Sequence, residues 1–214
     1  MLIGNIAQQL YSTVDTIIVG NFEGAHAIAA VSASTAIQFL LVSIAMGFTS
    51  GMSVVISQVY GARDYERMKR VFSTGFLFVI IVALVLAVVG NIITEPVLAL
   101  LGTDPSIMPN SVIYLRIMFS GMPFQFVYNM YASVLRAVGD SKTPLYFLIV
   151  SAVTNIILDL VFVATFGMGV AGVALATLIS QALSGFLCHI YVGKKVQIFK
   201  LGKGEWKLEK ELLN

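Results

Sequence analysis

Apolar residues run along this chain in blocks too long for the core of a water-soluble domain, and most polar positions gather between the blocks. The clearest block, 71–94, carries no charge and reads FLFVIIVALVLAVVG at its centre. A helix needs about 20 such residues to cross a hydrocarbon core, so this pattern predicts a membrane-spanning helix. The same reasoning predicts further spans over 1–20, 27–48, 112–135, 143–166 and 171–193. After the second span the uncharged run TSGMSVVISQVYG continues the helix towards the membrane surface. FGMGVAG, 166–172, separates the last two spans as a tight turn. The first span has the weakest pattern, because Asn5, Gln8, Gln9 and Asp15 interrupt it. The expected fold class is an all-α membrane protein, a six-transmembrane-helix bundle over 1–193, followed by an amphipathic tail or linker over 194–214.

Composition supports this. The 214 residues are 58% hydrophobic and 11% charged, whereas a soluble domain carries roughly 25% charged residues. Lipid must therefore solvate most of the outside. The net charge of +2 is too small to imply a nucleic-acid partner. The lone Cys188 excludes a disulfide framework and a cysteine metal cage, and reads as a small inert hydrophobe.

The placement of charge sets an orientation. Of thirteen Lys and Arg, all but Arg116 fall within 63–70, 136–142 or from Lys194 onward. The loops between these groups hold Glu23, His26, Glu95 and Asp104. The positive-inside rule makes the basic loops cytoplasmic, and both termini with them. Arg116 can snorkel to the far interface. The tail mixes Lys with Ile198, Phe199, Leu201, Trp206, Leu208, Leu212 and Leu213 and reads as a segment lying on anionic lipid.

Two aspartates depart from the apolar pattern. An aspartate at mid-span costs about 2.5–3.5 kcal/mol on insertion scales, and this chain has Asp15 and Asp159 there. At about 1.5 Å per residue, Asp15 lies roughly 8 Å and Asp159 roughly 10 Å from the outer ends of their helices. Thr177 enters its own helix to a comparable depth, and Asn155 shares a face with Asp159 one turn away. Gln8 and Tyr11 share a face with Asp15. Oxygen groups of this kind suit a hard cation such as Na⁺, or two carboxylates sharing a proton. Such a pair can take up a cation from the exterior and release it when helices move. The competing reading is that each aspartate merely hydrogen-bonds a neighbouring helix.

Other polar positions carry blander readings. Gly172, Ala176, Ser180 and Ser184 repeat every four residues as a small-residue packing seam. Gln125, Tyr128 and Asn129 line a cavity or simply pack. His189 reads as an interfacial residue without a visible partner. No phosphate loop, zinc-protease motif or nucleophile motif in a suitable context occurs, so the chain does not read as an enzyme.

Four stretches resemble the multidrug and toxic compound extrusion (MATE) family, in its prokaryotic form. They are GNIAQQLYSTVDTIIVGNFEGAHAIAAVS from Gly4, GFTSGMSVVISQVYGARD from Gly47, LRAVGDSKTP from Leu135, and NIILDLVFVATFGMGVAGVALATLIS from Asn155. The resemblance implies one six-helix lobe of a two-lobed transporter that exchanges H⁺ or Na⁺ for organic, often cationic, compounds. It implies a cation or proton site at Asp15, Asn155, Asp159 and Thr177, with Gln8 and Tyr11 on the polar face of the first helix. Asn129 joins these two as a candidate cavity residue. No cofactor beyond the coupling ion is expected.

The resemblance covers the N-terminal lobe only, with Met1 inside its first span and the second lobe missing, so the chain reads as a truncated product or fragment of such a protein. Its expected partners are the lipid bilayer, a small organic substrate, and a missing C-terminal lobe or a second copy. Its expected place is the prokaryotic cytoplasmic (inner) membrane. Two alternatives stand beside the antiporter. One is a lipid-linked oligosaccharide flippase of the same superfamily, which should place basic residues at mid-depth where this chain has none. The other is a non-transporting membrane scaffold fragment.

Overall fold

A computed structural model describes residues 2–196 together with Phe199, Trp206, Leu208 and Glu209, with side chains from Thr13 on, Leu41 and Ala45 apart. Among the described residues there are six helices and no strand. They are α1 (Leu2–Glu23), α2 (Ala25–Gly61), α3 (Tyr65–Leu100), α4 (Met108–Ala137), α5 (Lys142–Asp159) and α6 (Gly169–Lys195). Beyond Asp159 the fifth helix continues as a π-helical turn, Leu160–Thr165. Four helices are long and apolar enough to cross a membrane: α2, α3, α5 with its π turn, and α6. Both α1 and α4 carry more polar side chains and fall outside that group.

Short loops reverse the chain after each helix, so the two ends of the bundle differ in charge. One end carries Arg63 to Arg70, Arg136 to Lys142 and Lys194; the other carries Glu23, Glu95 and Asp104. We call these the basic and the acidic end.

The loop chemistry explains the reversals. Gly167 and Gly169 adopt φ of 62° and 53°, in the left-handed region that glycine enters without steric penalty, so the FGMG turn can reverse the chain in a few residues. At the basic end Asp140 caps the start of α5 by accepting from the Thr143 N–H at 3.0 Å. Its other oxygen accepts from the Tyr191 hydroxyl of α6 at 3.2 Å. Partial burial pushes this carboxyl up, but hydrogen bonds from Thr143, Tyr191 and Lys142 outweigh that and hold it below the usual range.

The fourth helix is the centre of the bundle and packs against α2, α3 and α6, while α1 rests on α2, α5 and α6. Three apolar clusters line up along the bundle. Ile56, Met68, Phe72, Met130, Tyr131 and Leu135 form one near the basic end. Val79, Leu98, Leu115, Phe119 and Phe126 join α3 to α4. Ile18, Val19, Val31, Tyr114, Val173 and Ala174 join α1, α2, α4 and α6. Close approach of α3 and α4 needs Gly90, where a Cβ would run into the Phe119 ring. Ser151 donates to the Ser180 carbonyl at 2.7 Å across α5 and α6, on the seam of small residues that begins at Gly172.

Most of 194–214 lies outside the described residues. Lys194 and Lys195 extend α6. Phe199 and Trp206 meet α3, with ring centroids 5.0 Å from Phe72 and 5.4 Å from Phe76 respectively. The Glu209 N–H donates to Thr74 Oγ1 at 3.2 Å, and its carboxylate lies 3.6 Å from Arg70. His189 does have a partner: its Nδ1 lies 2.6 Å from the Tyr131 hydroxyl. Cys188 is fully buried in the cluster near the basic end.

Two outcomes follow from this packing. Gly90→Ala should destabilise the bundle by about 1–3 kcal/mol through overpacking, read by unfolding in detergent, and Phe119→Leu should restore part of the loss. The Asp140 carboxyl sits below its unfolded value, so its stabilisation is present above about pH 4 and is lost as pH falls through the folded value. Asp140→Asn should therefore flatten the acid limb of a pH–stability curve followed by circular dichroism.

Candidate functional site

Burying a carboxylate out of water is costly unless other groups satisfy it, and this fold buries two side by side. Asp15 on α1 is 5% exposed and Asp159 at the end of α5 is fully buried. They come within hydrogen-bonding reach of one another. Asn155, one turn before Asp159 on α5, lies between them and is also fully buried. With its amide oriented to satisfy its neighbours, it donates to Asp15 Oδ1 at 2.8 Å and to Asp159 Oδ2 at 3.3 Å, and accepts from the Thr177 N–H at 3.3 Å. The Thr177 hydroxyl on α6 donates to Asp15 Oδ2 at 3.4 Å. The four residues grouped by depth and facing in the sequence thus converge from three helices.

The group is under-supplied with donors. Asp159 Oδ1 is buried and meets no hydrogen-bond donor among the described residues. Two adjacent anions with a bare oxygen call for a positive charge between them, supplied by a proton or a hard cation. With the Asn155 oxygen turned to the Thr177 N–H, the oxygens of Asp15 and Asp159 and the Thr177 hydroxyl are the ones that could receive either. Among the described residues no cluster of three or more His, Cys, Asp or Glu occurs.

The helix supporting Asp159 changes character there. Immediately after it the winding loosens into the π turn, and the Phe166 N–H reaches back to the Val161 carbonyl at 3.1 Å. Turns of this kind break the regular α-helical ladder and often occur at functional sites.

Sequence reasoning missed two members of the surroundings. Tyr114 on α4 is 3% exposed and close enough to interact electrostatically with both carboxylates. Its hydroxyl accepts from the Gln38 Nε2 of α2 at 2.8 Å. The available signal was the isolated amide of Gln38 within an otherwise apolar block. Span four drew attention instead to Gln125, Tyr128 and Asn129, which lie towards the basic end. Asn129 donates to the Gln125 carbonyl of its own helix at 3.0 Å, roughly 22 Å along α4 from Tyr114 at about 1.5 Å per residue. Tyr128 donates to the Pro144 carbonyl at 3.1 Å. The fold therefore does not bring Asn129 to the carboxylates. Gln8 and Tyr11 belong to α1, and their side chains lie outside the described residues.

Replacing the central amide tests how the site is held. Asn155→Leu leaves both carboxylates without their shared donor and should cost about 1–3 kcal/mol of stability, measured by unfolding in detergent. An unchanged unfolding midpoint would show that the amide does not join the two groups.

Comparison with known proteins gives a consistent family. The protein-family model described as MatE matches residues 1–161. "Probable multidrug resistance protein YoeA" of Bacillus subtilis (strain 168) is 40% identical over 220 residues, an alignment covering 100% of this chain and 48% of the relative. "Multidrug export protein MepA" of Staphylococcus aureus (strain bovine RF122 / ET3-1) is 27% identical, with 100% and 48% covered. The chain spans about half the length of the curated relatives it matches. Among solved structures, "Crystal structure of MATE in the bent conformation" superposes with a TM-score of 0.92 at 24% identity, covering 100% of this chain and 48% of that one. "Outward-facing conformation of a multidrug resistance MATE family transporter of the MOP superfamily" gives 0.91 at 24% identity, with 100% and 47% covered. At that identity the structures speak for the fold alone.

Proposed function

The chain belongs to the MatE family, and on that premise we propose that it is one lobe of a cation-coupled antiporter that exports organic, often cationic, compounds. As an integral membrane protein it sits in lipid, and its work is binding and release. The observation that carries the reading is the pair of buried carboxylates, Asp15 and Asp159, joined by Asn155. A structural role alone would be served by satisfied hydrogen bonds, whereas Asp159 Oδ1 lacks a donor among the described residues. That oxygen is the natural seat for an arriving H⁺ or Na⁺.

The mechanism follows from charge. With a cation bound, the anions on α1 and α5 attract a common centre and hold their helices and α6 together. When the cation leaves, two like charges face each other in low dielectric and push those helices apart. The loose π turn after Asp159 lets the end of α5 move without unwinding the rest of the helix. A change in how α1, α5 and α6 meet would reshape the cavity that a second lobe, or a second copy, closes. The acidic end faces outward in this reading and the basic end faces the cytoplasm, as the basic loops support, with the prokaryotic inner membrane as its place.

The flippase reading lacks a favouring observation, since no Lys or Arg lies near the carboxylates in the sequence of α1, α5 or the first half of α6. A scaffold would tolerate neutral residues at both acids.

The deciding experiment is efflux of a fluorescent organic cation from proteoliposomes, by the protein that carries this lobe, under separate H⁺ and Na⁺ gradients. Asp15→Asn and Asp159→Asn should each reduce exchange to background while membrane insertion stays intact. Normal export by both variants would overturn the mechanism.

A further inference from the structure

The same α1–α6 seam that joins Asp15 to Thr177 has a second close approach nearer the acidic end, made by an exposed side chain. Glu23 is the last residue of α1 and Gly169 the first of α6. A Cβ placed on Gly169 would lie 3.1 and 3.2 Å from the two Glu23 carboxylate oxygens, so the side chain rests directly on that glycine. The helices run in opposite directions. Glu23 lies as far beyond Asp15 along α1 as Gly169 lies before Thr177 on α6, about two turns or roughly 12 Å in each case. Val19 and Val173 occupy the midpoint of both intervals, and both are fully buried in one apolar cluster. One register therefore aligns an acidic side chain on a glycine, a valine pair, and the Asp15–Thr177 hydrogen bond.

Each part of the outer contact has a physical reason. The first turn of a helix has N–H groups with no intrahelical acceptor and carries the positive end of the helix dipole, which favours an adjacent carboxylate. Glycine at the start of α6 gives the carboxylate room to approach. The positive φ of Gly169 also disfavours any side chain there.

We propose that Glu23 is the positioning residue for the carboxylate pair: by anchoring the end of α1 on the first residue of α6, it sets the register in which Asp15 meets Thr177. The contact lies at the acidic end, away from the loops that carry most of the basic residues. It supplies a second fixed point, so that α1 cannot slide or rotate at Asp15 without also leaving α6 at Glu23. The inference takes Asp15 as a cation-site residue, and the experiment separates the two ideas.

The test uses the full chain in detergent with Cys188→Ala. Nitroxide labels at Asn21→Cys and Met168→Cys report the separation of the two helix ends through dipolar broadening. Carbodiimide labelling of Asp15, located by peptide mass spectrometry, reports access to the site. Glu23→Ala should weaken the broadening and label Asp15 about threefold faster, the change expected when one carboxylate–helix-terminus contact is lost. Glu23→Gln keeps two hydrogen-bonding groups without charge and should fall between.

Gly169→Ala should displace the carboxylate and reproduce the effect, and combining it with Glu23→Ala should add nothing. A general loss of structure would instead speed labelling of every carboxyl and lower the melting temperature, and that pattern overturns the proposal. Unchanged broadening in both Glu23 variants overturns it too. If broadening responds while wild-type Asp15 never reacts at any pH, the anchor stands and the cation-site reading fails.

Discussion

The structure depends on the cost of holding two acidic side chains out of water. Several polar residues gather around Asp15 and Asp159. Asn155 spends its amide on both of them, Thr177 donates its hydroxyl, and Tyr114 with Gln38 closes the side towards α4 and α2. Among the described residues these donors still leave one oxygen of Asp159 bare. A bundle built only for stability would have filled this space with aliphatic side chains, as it does at the Val79–Phe126 cluster. In the proposed mechanism a mobile cation corrects the remaining electrostatic imbalance, and ion occupancy is thereby linked to helix packing.

Rigid and yielding parts are distributed around that centre. The α3–α4 contact is tight, with Phe119 set against Gly90, and α4 supports most of the bundle. In contrast the fifth helix loosens its winding directly after Asp159. One of the two carboxylates thus sits directly before an irregular turn, against a scaffold of tightly packed helices. Motion of this kind needs only a small change of register at α1 and α5 for a large change in the space beside them.

Much of the site was legible in the sequence because it obeys helical arithmetic. Asn155 and Asp159 are four apart and must share a face, and the depth of Asp15 and Thr177 follows from counting inwards from Gly20 and Gly172. Contacts set by rotation of one helix against another were not legible. Tyr114 and Gln38 are 76 positions apart, and nothing in either segment says that they face each other. The same holds for Tyr131 and His189, where a histidine that seemed unpartnered meets a phenol. The π turn was hidden as well, since LVFVAT is as suitable for an α-helix as for the wider winding. Charge patterning identified the basic loops but not the seating of Phe199 and Trp206 on α3, which requires knowing that Phe72 and Phe76 present a surface at that level.

That seating gives the chain a built-in optical reporter. It contains one tryptophan, and the indole of Trp206 rests against two phenylalanines beside Arg70 and Thr74. Tryptophan emission from the unlabelled protein therefore comes through a single window at the basic end of α3. Any event that lifts the segment after α6 from that helix will register as a red shift, without a dye and without altering a residue.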